Sequence, residues 1–302
     1  MELDWLDDFA ALAGTQSFSR AATSRNVTQP AFSRRIQMLE KWVGTALFQR
    51  LPRRVVLTPA GERFGSSVEG LTLAIRQARM EALDAAGSSS RKLSIAATHA
   101  LSFTFFPHWA QRHVEATRLG ALNLLSDHMA ACEDMMLRGE ASFLLCHRHS
   151  ADTTRLPARQ FKYHVVGGDV LRPYAAPDIK GAPLWHITDN AAEAIPYLAY
   201  ASPSGLGRIV DATWPTQKTR PHLKEVVTAR LAAALLGMAE DGRGVAWLPA
   251  SLAADSLQRG RLVGASDDPQ FDIAVEIVLY RPIARLSATA EQFWTDVTAS
   301  RR

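Results

Sequence analysis

The chain has 302 residues, 47% hydrophobic and 21% charged, with 34 Lys and Arg against 30 Asp and Glu for a net charge of +4. That balance excludes a disordered chain and leaves material for two or three packed domains. No run approaches 18 uncharged apolar residues, the start carries Glu2, Asp4, Asp7 and Asp8 rather than a basic signal flank, and Cys132 and Cys146 are too few for a disulfide framework, so a cytoplasmic protein with buried free thiols and no membrane contact is expected.

Trp5, Leu6, Phe9, Leu12 and Ala13 recur at helical spacing and predict a first helix that Gly14 and Thr15 end. A second short helix opens at Ser17-Phe18-Ser19, with Phe18 as a staple before a Ser19 cap, and Asn26 closes it. Thr28 caps a third helix over about 29–42, and Pro30 suits its first turn. Phe32, Ile36, Leu39 and Val43 step by four, three and four and face inward, leaving Gln29, Ser33, Arg34 and Gln37 on other faces. Two helices joined by a tight turn, the second presenting polar and basic residues, make a helix-turn-helix. Gln29 can read an adenine edge and Arg34 a guanine edge or a phosphate, while Ser19, Arg20 and Ser33 suit phosphate or mixed contacts and Pro30 sits among them. Residues 20–63 carry a net +7, which suits a phosphate backbone. A helical protein-interaction module with a solvated basic face is the alternative that charge and pattern leave open.

After Gly44 short extended segments flank a basic turn, like the wing of a winged helix, and place Arg50, Arg53 and Arg54 against the DNA backbone or minor groove; an exposed basic loop is the plainer reading. Thr58-Pro59-Ala60-Gly61-Glu62 is a helix-start signature. A long helix over 59–86 follows, with Val68, Leu71, Ile75, Ala78, Ala82 and Ala85 as a stripe that can meet a partner helix, and Gly87-Ser88-Ser89-Ser90 forms a hinge.

The run Phe9…Ser17-Phe18-Ser19-Arg20-Ala21-Ala22…Val27-Thr28-Gln29-Pro30-Ala31-Phe32-Ser33-Arg34-Arg35-Ile36…Leu39-Glu40…Gly44…Leu47-Phe48-Gln49-Arg50…Leu57-Thr58-Pro59-Ala60-Gly61 resembles the LysR-type transcriptional regulator family. Within it, Ser24 to Ile36, Ile95 to Ser102, Gly242 to Pro249 and Ala290 to Trp294 resemble a hypochlorite-responsive subgroup, although Leu206 stands before Gly207-Arg208 where that resemblance leads one to look for a methionine. The resemblance implies an α/β multidomain protein: a winged helix-turn-helix over 1–60, a linker and dimerisation helix with hinge over 59–90, and a two-lobed, periplasmic-binding-protein-like effector domain over 91–302. Lobe one is expected at about 91–162 and 268–302, lobe two at about 163–267. The implied partners are double-stranded operator DNA, a second copy in a dimer that pairs into tetramers, and RNA polymerase; the implied location is the nucleoid.

From Lys92 the pattern alternates strands (93–97, 122–125, 141–146) with helices (103–114, 129–137), the grammar of a parallel sheet. Further on come an extended segment 195–200, a helix after Ser204, a helix over about 223–238 in which Val227, Leu231, Leu235 and Met238 step by four, four and three, a strand 244–248, an alternating strand from Phe271 to Leu279 and a last helix over about 284–298. Open sheets bind ligands at the carboxyl ends of their strands. That rule singles out Thr98, His99, Ala100 and Ser102, then Ser202 and Ser204 in the second lobe, Cys146 and His147 at another strand end, and the Gly244-Val245 turn, with structural caps and core residues as the bland readings. Free N–H groups and hydroxyls there suit a small anionic effector, and Arg208 is a candidate counter-charge. Cys146, His147 and His149 lack the further ligand of a metal site, and no phosphate loop or nucleophile elbow is present, so neither cofactor nor catalysis is expected. A direct oxidant sensor using Met129, Met135, Met136 or Cys146 stays open, as do a solute-binding protein or α/β enzyme for 92–302 alone.

Overall fold

The computed structural model describes residues 2–52, 54–85, 93–117, 122–152, 154–187, 193–214 and 221–299. They fall into two compact units, Met1–Ala82 and Leu83–Arg302. Arg53 and the hinge 87–90 lie outside the described residues.

The first unit packs helices α1 (Leu3–Thr15), α2 (Phe18–Ser24) and α3 (Gln29–Val43) on a two-stranded antiparallel wing, β1 (Phe48–Leu51) with β2 (Arg54–Leu57), before α4 (Pro59–Ala85). The stepped apolar residues of α3, Phe32, Ile36 and Leu39, are almost wholly buried with Leu12, Leu47 and Phe9, each worth roughly 1.5–3 kcal/mol over exposure. The α2 cap is Ser17, not Ser19: Ser17 is extended and its hydroxyl accepts the Arg20 N–H at 3.5 Å, so Ser19 falls inside the first turn. Phe18 still packs inward, its ring edge-on to Phe32 at 6.1 Å. Asn26 turns the chain between α2 and α3 at φ 53°, the left-handed region that Asn tolerates. Glu40 fixes the wing to α3, its carboxylate accepting the N–H groups of Leu47 and Phe48 at 2.8 and 3.0 Å. Thr58 caps α4 through the Gly61 N–H at 3.0 Å. Gly61 has no substitute there, since a Cβ would lie 2.1 Å from the Leu47 carbonyl oxygen.

The second unit is built on one sheet in the order β10-β6-β11-β5-β3-β4, with β9 also paired to β6. Strands β3 (Leu93–Thr98), β4 (Leu122–Asp127) and β5 (Phe143–Arg148) are parallel, and α5 (His99–Thr104), α6 (Phe106–Thr117), α7 (Met129–Leu137) and α11 (Ala288–Ala299) belong to this lobe. Strands β6 (Phe161–Ala175) and β11 (Ile273–Pro282) run antiparallel to each other and cross to the second lobe, which holds parallel β7 (Ile195–Tyr200) and β8 (Leu223–Ala229), then α8 (Gly205–Thr213), α9 (Ala232–Glu240), β9 (Ala246–Pro249), α10 (Ala250–Gln258) and β10 (Val263–Gly264). Each lobe has its own core, and β11 serves both: Ile277 and Leu279 enter one, Ile273 and Val275 the other. No helix among the described residues is long and apolar enough to cross a membrane.

Four sequence expectations are corrected. The helix expected at 103–114 is two, broken at Phe105, because Pro107 opens α6 and has no N–H to continue α5. The helix expected at 223–238 is β8 followed by α9; Val226-Val227-Thr228 prefers extended backbone, and pairing with β7 overrides an accidental helical step. The last helix begins at Ala288 rather than 284, where the Ser287 hydroxyl accepts the Ala290 N–H at 3.3 Å. The alternating strand starts at Ile273, since Phe271 ends a 3-10 turn.

Candidate nucleic-acid interface and ligand cleft

The inward stripe of α3 leaves Gln29, Pro30, Arg34 and Gln37 exposed and Ser33 half-buried. The Arg50 guanidinium donates to the Ser33 hydroxyl at 3.2 Å and lies 4.4 Å over the Phe18 ring, so β1, α2 and α3 meet at one basic side chain. Ser19 and Arg20 are exposed at the start of α2, and Arg20 donates to the Thr15 carbonyl at 2.5 Å. Arg54 is exposed on the wing. The basic excess of this segment is smaller than its formula suggests. Asp8, fully buried on α1, accepts Arg25 at 2.8 Å and Arg35 at 3.4 Å, and Arg25 also faces Asp4 and Asp7 at 3.5 and 3.6 Å. Those two arginines hold α1 to α2 and α3, leaving Arg20, Arg34, Lys41, Arg50, Arg54 and Arg63 as the exposed cations among the described residues of the segment.

In the second unit a cleft is lined by Thr98, His99, Ala100, His128, Met129, His147, Ser204, Gly205, Leu206, Arg230 and Ala232. Its volume of about 30 Å³ is room for about two water molecules. Three helices of nine residues each, α7, α8 and α9, begin on its wall, at Met129, Gly205 and Ala232. Their first N–H groups and dipoles make that wall electropositive. The N-cap of α7 is His128, whose Nδ1 accepts the Ala131 N–H at 3.2 Å, and that of α8 is Ser204, whose hydroxyl accepts the Gly207 N–H at 3.4 Å. Arg230 is exposed at the rim, with no ion pair or hydrogen bond among the described residues. Two further polar atoms of the wall are buried without a hydrogen-bond partner: the Thr98 hydroxyl, which caps nothing, and Nε2 of His147, a residue 5% exposed. The Asp169 carboxylate faces that nitrogen at 3.9 Å, beyond hydrogen-bond reach. Burial alone would raise the Asp169 carboxyl; the facing imidazole, the Ser251 hydroxyl at 2.5 Å and the Val170 N–H outweigh it and hold the group below its ordinary value.

Of the residues singled out from sequence, Thr98, His99, Ala100, His147 and Ser204 line this cleft together. The others do not. The Ser102 hydroxyl is 2.7 Å from that of Ser126, Ser202 is exposed, and Cys146 is buried within β5. Gly244 packs on the Pro196 carbonyl, and Val245 is fully buried, its N–H donating to Pro196 at 2.8 Å. Arg208 points away, to Glu133. His128 and Arg230 carry no signal in sequence, and Met129 stands out there only as a helix start and an oxidant target, because their places in the cleft follow from helix starts that the fold alone brings together. Burial disfavours the thiolate of both cysteines, pushing Cys132 up to about 12 and Cys146 well above its ordinary value. Among the described residues no three His, Cys, Asp or Glu are grouped to hold a metal ion.

A winged helix-turn-helix followed by two α/β lobes around a cleft defines a ligand-responsive DNA-binding regulator. Residues 3–62 match the bacterial regulatory helix-turn-helix protein model, lysR family, and residues 86–301 match the LysR substrate binding domain. The chain belongs to the LysR family of transcriptional regulators, DNA-binding proteins with an effector-binding C-terminal domain and not enzymes. It is 29% identical over 297 residues to the HTH-type transcriptional regulator YjiE of Escherichia coli K12, covering 98% of this chain and 94% of that one. Two solved structures are each 28% identical: full-length HypT of Salmonella typhimurium, a hypochlorite-specific LysR-type regulator (TM-score 0.58, covering 99% and 97% of the two chains), and Vibrio fischeri DarR in complex with DNA (TM-score 0.57, covering 100% and 99%).

Proposed function

We propose that this regulator reads operator DNA with the N-terminal half of α3 and answers to a small anion held in the interlobe cleft. Gln29, Ser33 and Arg34 read base edges, with Pro30 and Gln37 beside them; Ser19, Arg20, Arg50, Arg53 and Arg54 take phosphates or the minor groove. Their common exposure on α2, α3 and the wing, Arg53 and the half-buried Ser33 apart, supports this reading. One reading head covers too few base pairs, so the protein works as a dimer joined through the exposed Leu71 and Ile75 of α4, 57% and 40% accessible. Pairing of dimers and contact with RNA polymerase belong to the same reading, as does a cytoplasmic, nucleoid-associated location.

The observation that carries the anionic effector is the convergence of three helix N-termini, an uncommitted Arg230 and two buried polar atoms without a hydrogen bond, the Thr98 hydroxyl and the His147 Nε2 that Asp169 faces, on one cleft. Thr98, His99, Ala100, His147 and Ser204 contribute, with the effector-binding roles of Ser102, Cys146, Ser202, Gly244 and Val245 reduced to support of the wall. The test is calorimetric titration of the full-length protein with small carboxylic acids and halides, with footprinting alongside. Arg230→Ala and Thr98→Ala should weaken binding about tenfold or more and abolish the footprint change. An oxidant reading through Met129, which lines the cleft, predicts instead a footprint that moves only after hypochlorite and ignores both substitutions.

A further inference from the structure

The charge that Arg208 does not give to the cleft goes to one contact between the lobes. Glu133 on α7 belongs to the first lobe and is fully buried. Its Oε1 accepts the Thr154 hydroxyl at 3.0 Å and the Arg155 N–H at 2.8 Å, so the first lobe holds the carboxylate from two sides. Arg208 on α8 belongs to the second lobe and reaches the same carboxylate, Nη1 at 3.4 Å from Oε1 and Nη2 at 3.2 Å from Oε2. A two-pronged arginine–carboxylate pair has both contacts near 2.8 Å. Here both are long, and Oε2, Nε and Nη2 are buried with no hydrogen-bond partner. The pair is therefore looser than a two-pronged contact, and it bridges α7 of the first lobe and α8 of the second.

The helices that carry it also form the cleft. Met129 starts α7 and Gly205 starts α8, both on the wall, and a Cβ on Gly205 would lie 3.0 Å from that of Met129. The Ala130 N–H reaches the Pro203 carbonyl at 3.5 Å alongside. The Glu133–Arg208 pair thus joins the same two helices whose starts line the cleft. A buried ion pair is a poor way to gain stability, because apolar residues of like volume do as well. What it supplies is a distance, since its attraction changes steeply with separation in a medium of low dielectric constant.

We propose that the Glu133–Arg208 pair is the spacer that sets the width of the interlobe cleft, and so the size of ligand the cleft admits. This rests on the reading of the cleft as an anion site. The pair touches no ligand; both residues act by positioning α7 and α8. With the pair intact the cleft has room for about two water-sized groups and selects the smallest acids. With the pair broken the walls part and longer acids enter.

The test uses the full-length protein, titrated with formate, acetate, propionate and butyrate as sodium salts at constant ionic strength. Wild type should prefer formate and acetate to butyrate. Arg208→Gln and Glu133→Gln should each move that preference about tenfold or more toward butyrate, the double variant no further than either alone, and Arg208→Lys by less. An unchanged preference ratio in both single variants overturns the proposal, even where all affinities fall together, as a loss of fold would cause. Hydrogen exchange on the ligand-free protein separates this proposal from the anion reading. Arg208→Gln should speed exchange in both 129–137 and 205–213; faster exchange in 205–213 alone overturns the spacer. If none of the four acids binds wild type, the anionic reading in this form fails and the exchange result decides the spacer by itself.

Discussion

The Arg50 guanidinium donates to the Ser33 hydroxyl across the gap between wing and third helix, so the two elements are tied together within the free protein. Neither group is spare: Ser33 orients Arg50, and the Phe18 ring beneath holds the charge outward. Ser33→Ala should therefore cost affinity for all sequences by a few fold through a loosened Arg50, in addition to its own base contact, while Gln29→Ala and Arg34→Ala should cost about 1–3 kcal/mol on the preferred site and relax sequence preference. Binding curves on the operator and on scrambled duplexes distinguish the two patterns. Equal losses on both duplexes for Gln29→Ala and Arg34→Ala would remove those residues from base reading.

Arg54 and Arg25 carry the same charge and should behave oppositely. Arg54→Ala should lower the slope of log affinity against log salt by about 1, with no change in unfolding. Arg25→Ala should leave that slope nearly intact and destabilise the first unit, because Asp8 loses its nearest cation. Asp8→Asn should cost about 1–3 kcal/mol for the same reason. Salt titrations of binding and urea unfolding followed on the same variants read both effects.

Gly61→Ala should be among the most damaging single-methyl changes in the chain. The added carbon meets a backbone oxygen that cannot swing aside. Either α4 lifts from Leu47 or the Thr58 cap breaks, at a cost of roughly 1–3 kcal/mol. The check is calorimetry of the full-length protein, where the first unit should melt earlier.

Leu71→Glu should weaken self-association without unfolding α4, since Leu71 is largely exposed on its own helix. Sedimentation at several concentrations should show a shift toward monomer; an unchanged assembly removes Leu71 from the interface.

Glu291 predicts a window of acid sensitivity. Arg281 grips its carboxylate with two nitrogens, at 2.6 and 2.8 Å, and this pairing outweighs partial burial to hold the group down at about 2. A carboxyl held lower in the folded protein than in the unfolded chain stabilises the fold above its ordinary value of 4.5, and that contribution is lost as pH falls toward about 2. Glu291→Gln should thus be less stable than wild type at pH 7, with the difference closing between about pH 4.5 and 2. A difference constant across that range, in thermal melts, would refute it.

Much of the first unit could be read from sequence because its signals are local. Phe32, Ile36 and Leu39 show their spacing within two turns, and Thr58-Pro59 marks a helix start on its face. Charge partners were hidden: nothing in the sign of Arg25 or Arg35 reveals that Asp8 holds them from another helix. The cleft was half visible for a related reason. Thr98, His147 and Ser204 stand at strand ends or helix starts that the pattern exposes. Arg230 was lost when the step Val227, Leu231, Leu235 suggested one helix through 223–238; inside a helix it is an ordinary solvated cation, whereas between β8 and α9 it reaches the cleft rim. Arg208 shows the converse, a cation in the right segment whose partner lies on the other lobe.

The two crossover strands have a mechanical consequence. Between the lobe cores, at Asp169-Val170 and Ala274-Val275, β6 and β11 pair only with each other, whereas their register shift between Ile277 and Val278 lies where β11 also pairs with β5. A ribbon two strands wide flexes readily across its flat face and resists shearing in its plane. That two-stranded stretch is the place where a swing of one lobe on the other costs least. Whatever chemistry occupies the cleft leaves it as a single coordinate, an opening angle. Ligands of unrelated structure are equivalent to the DNA-binding half if they set the same angle.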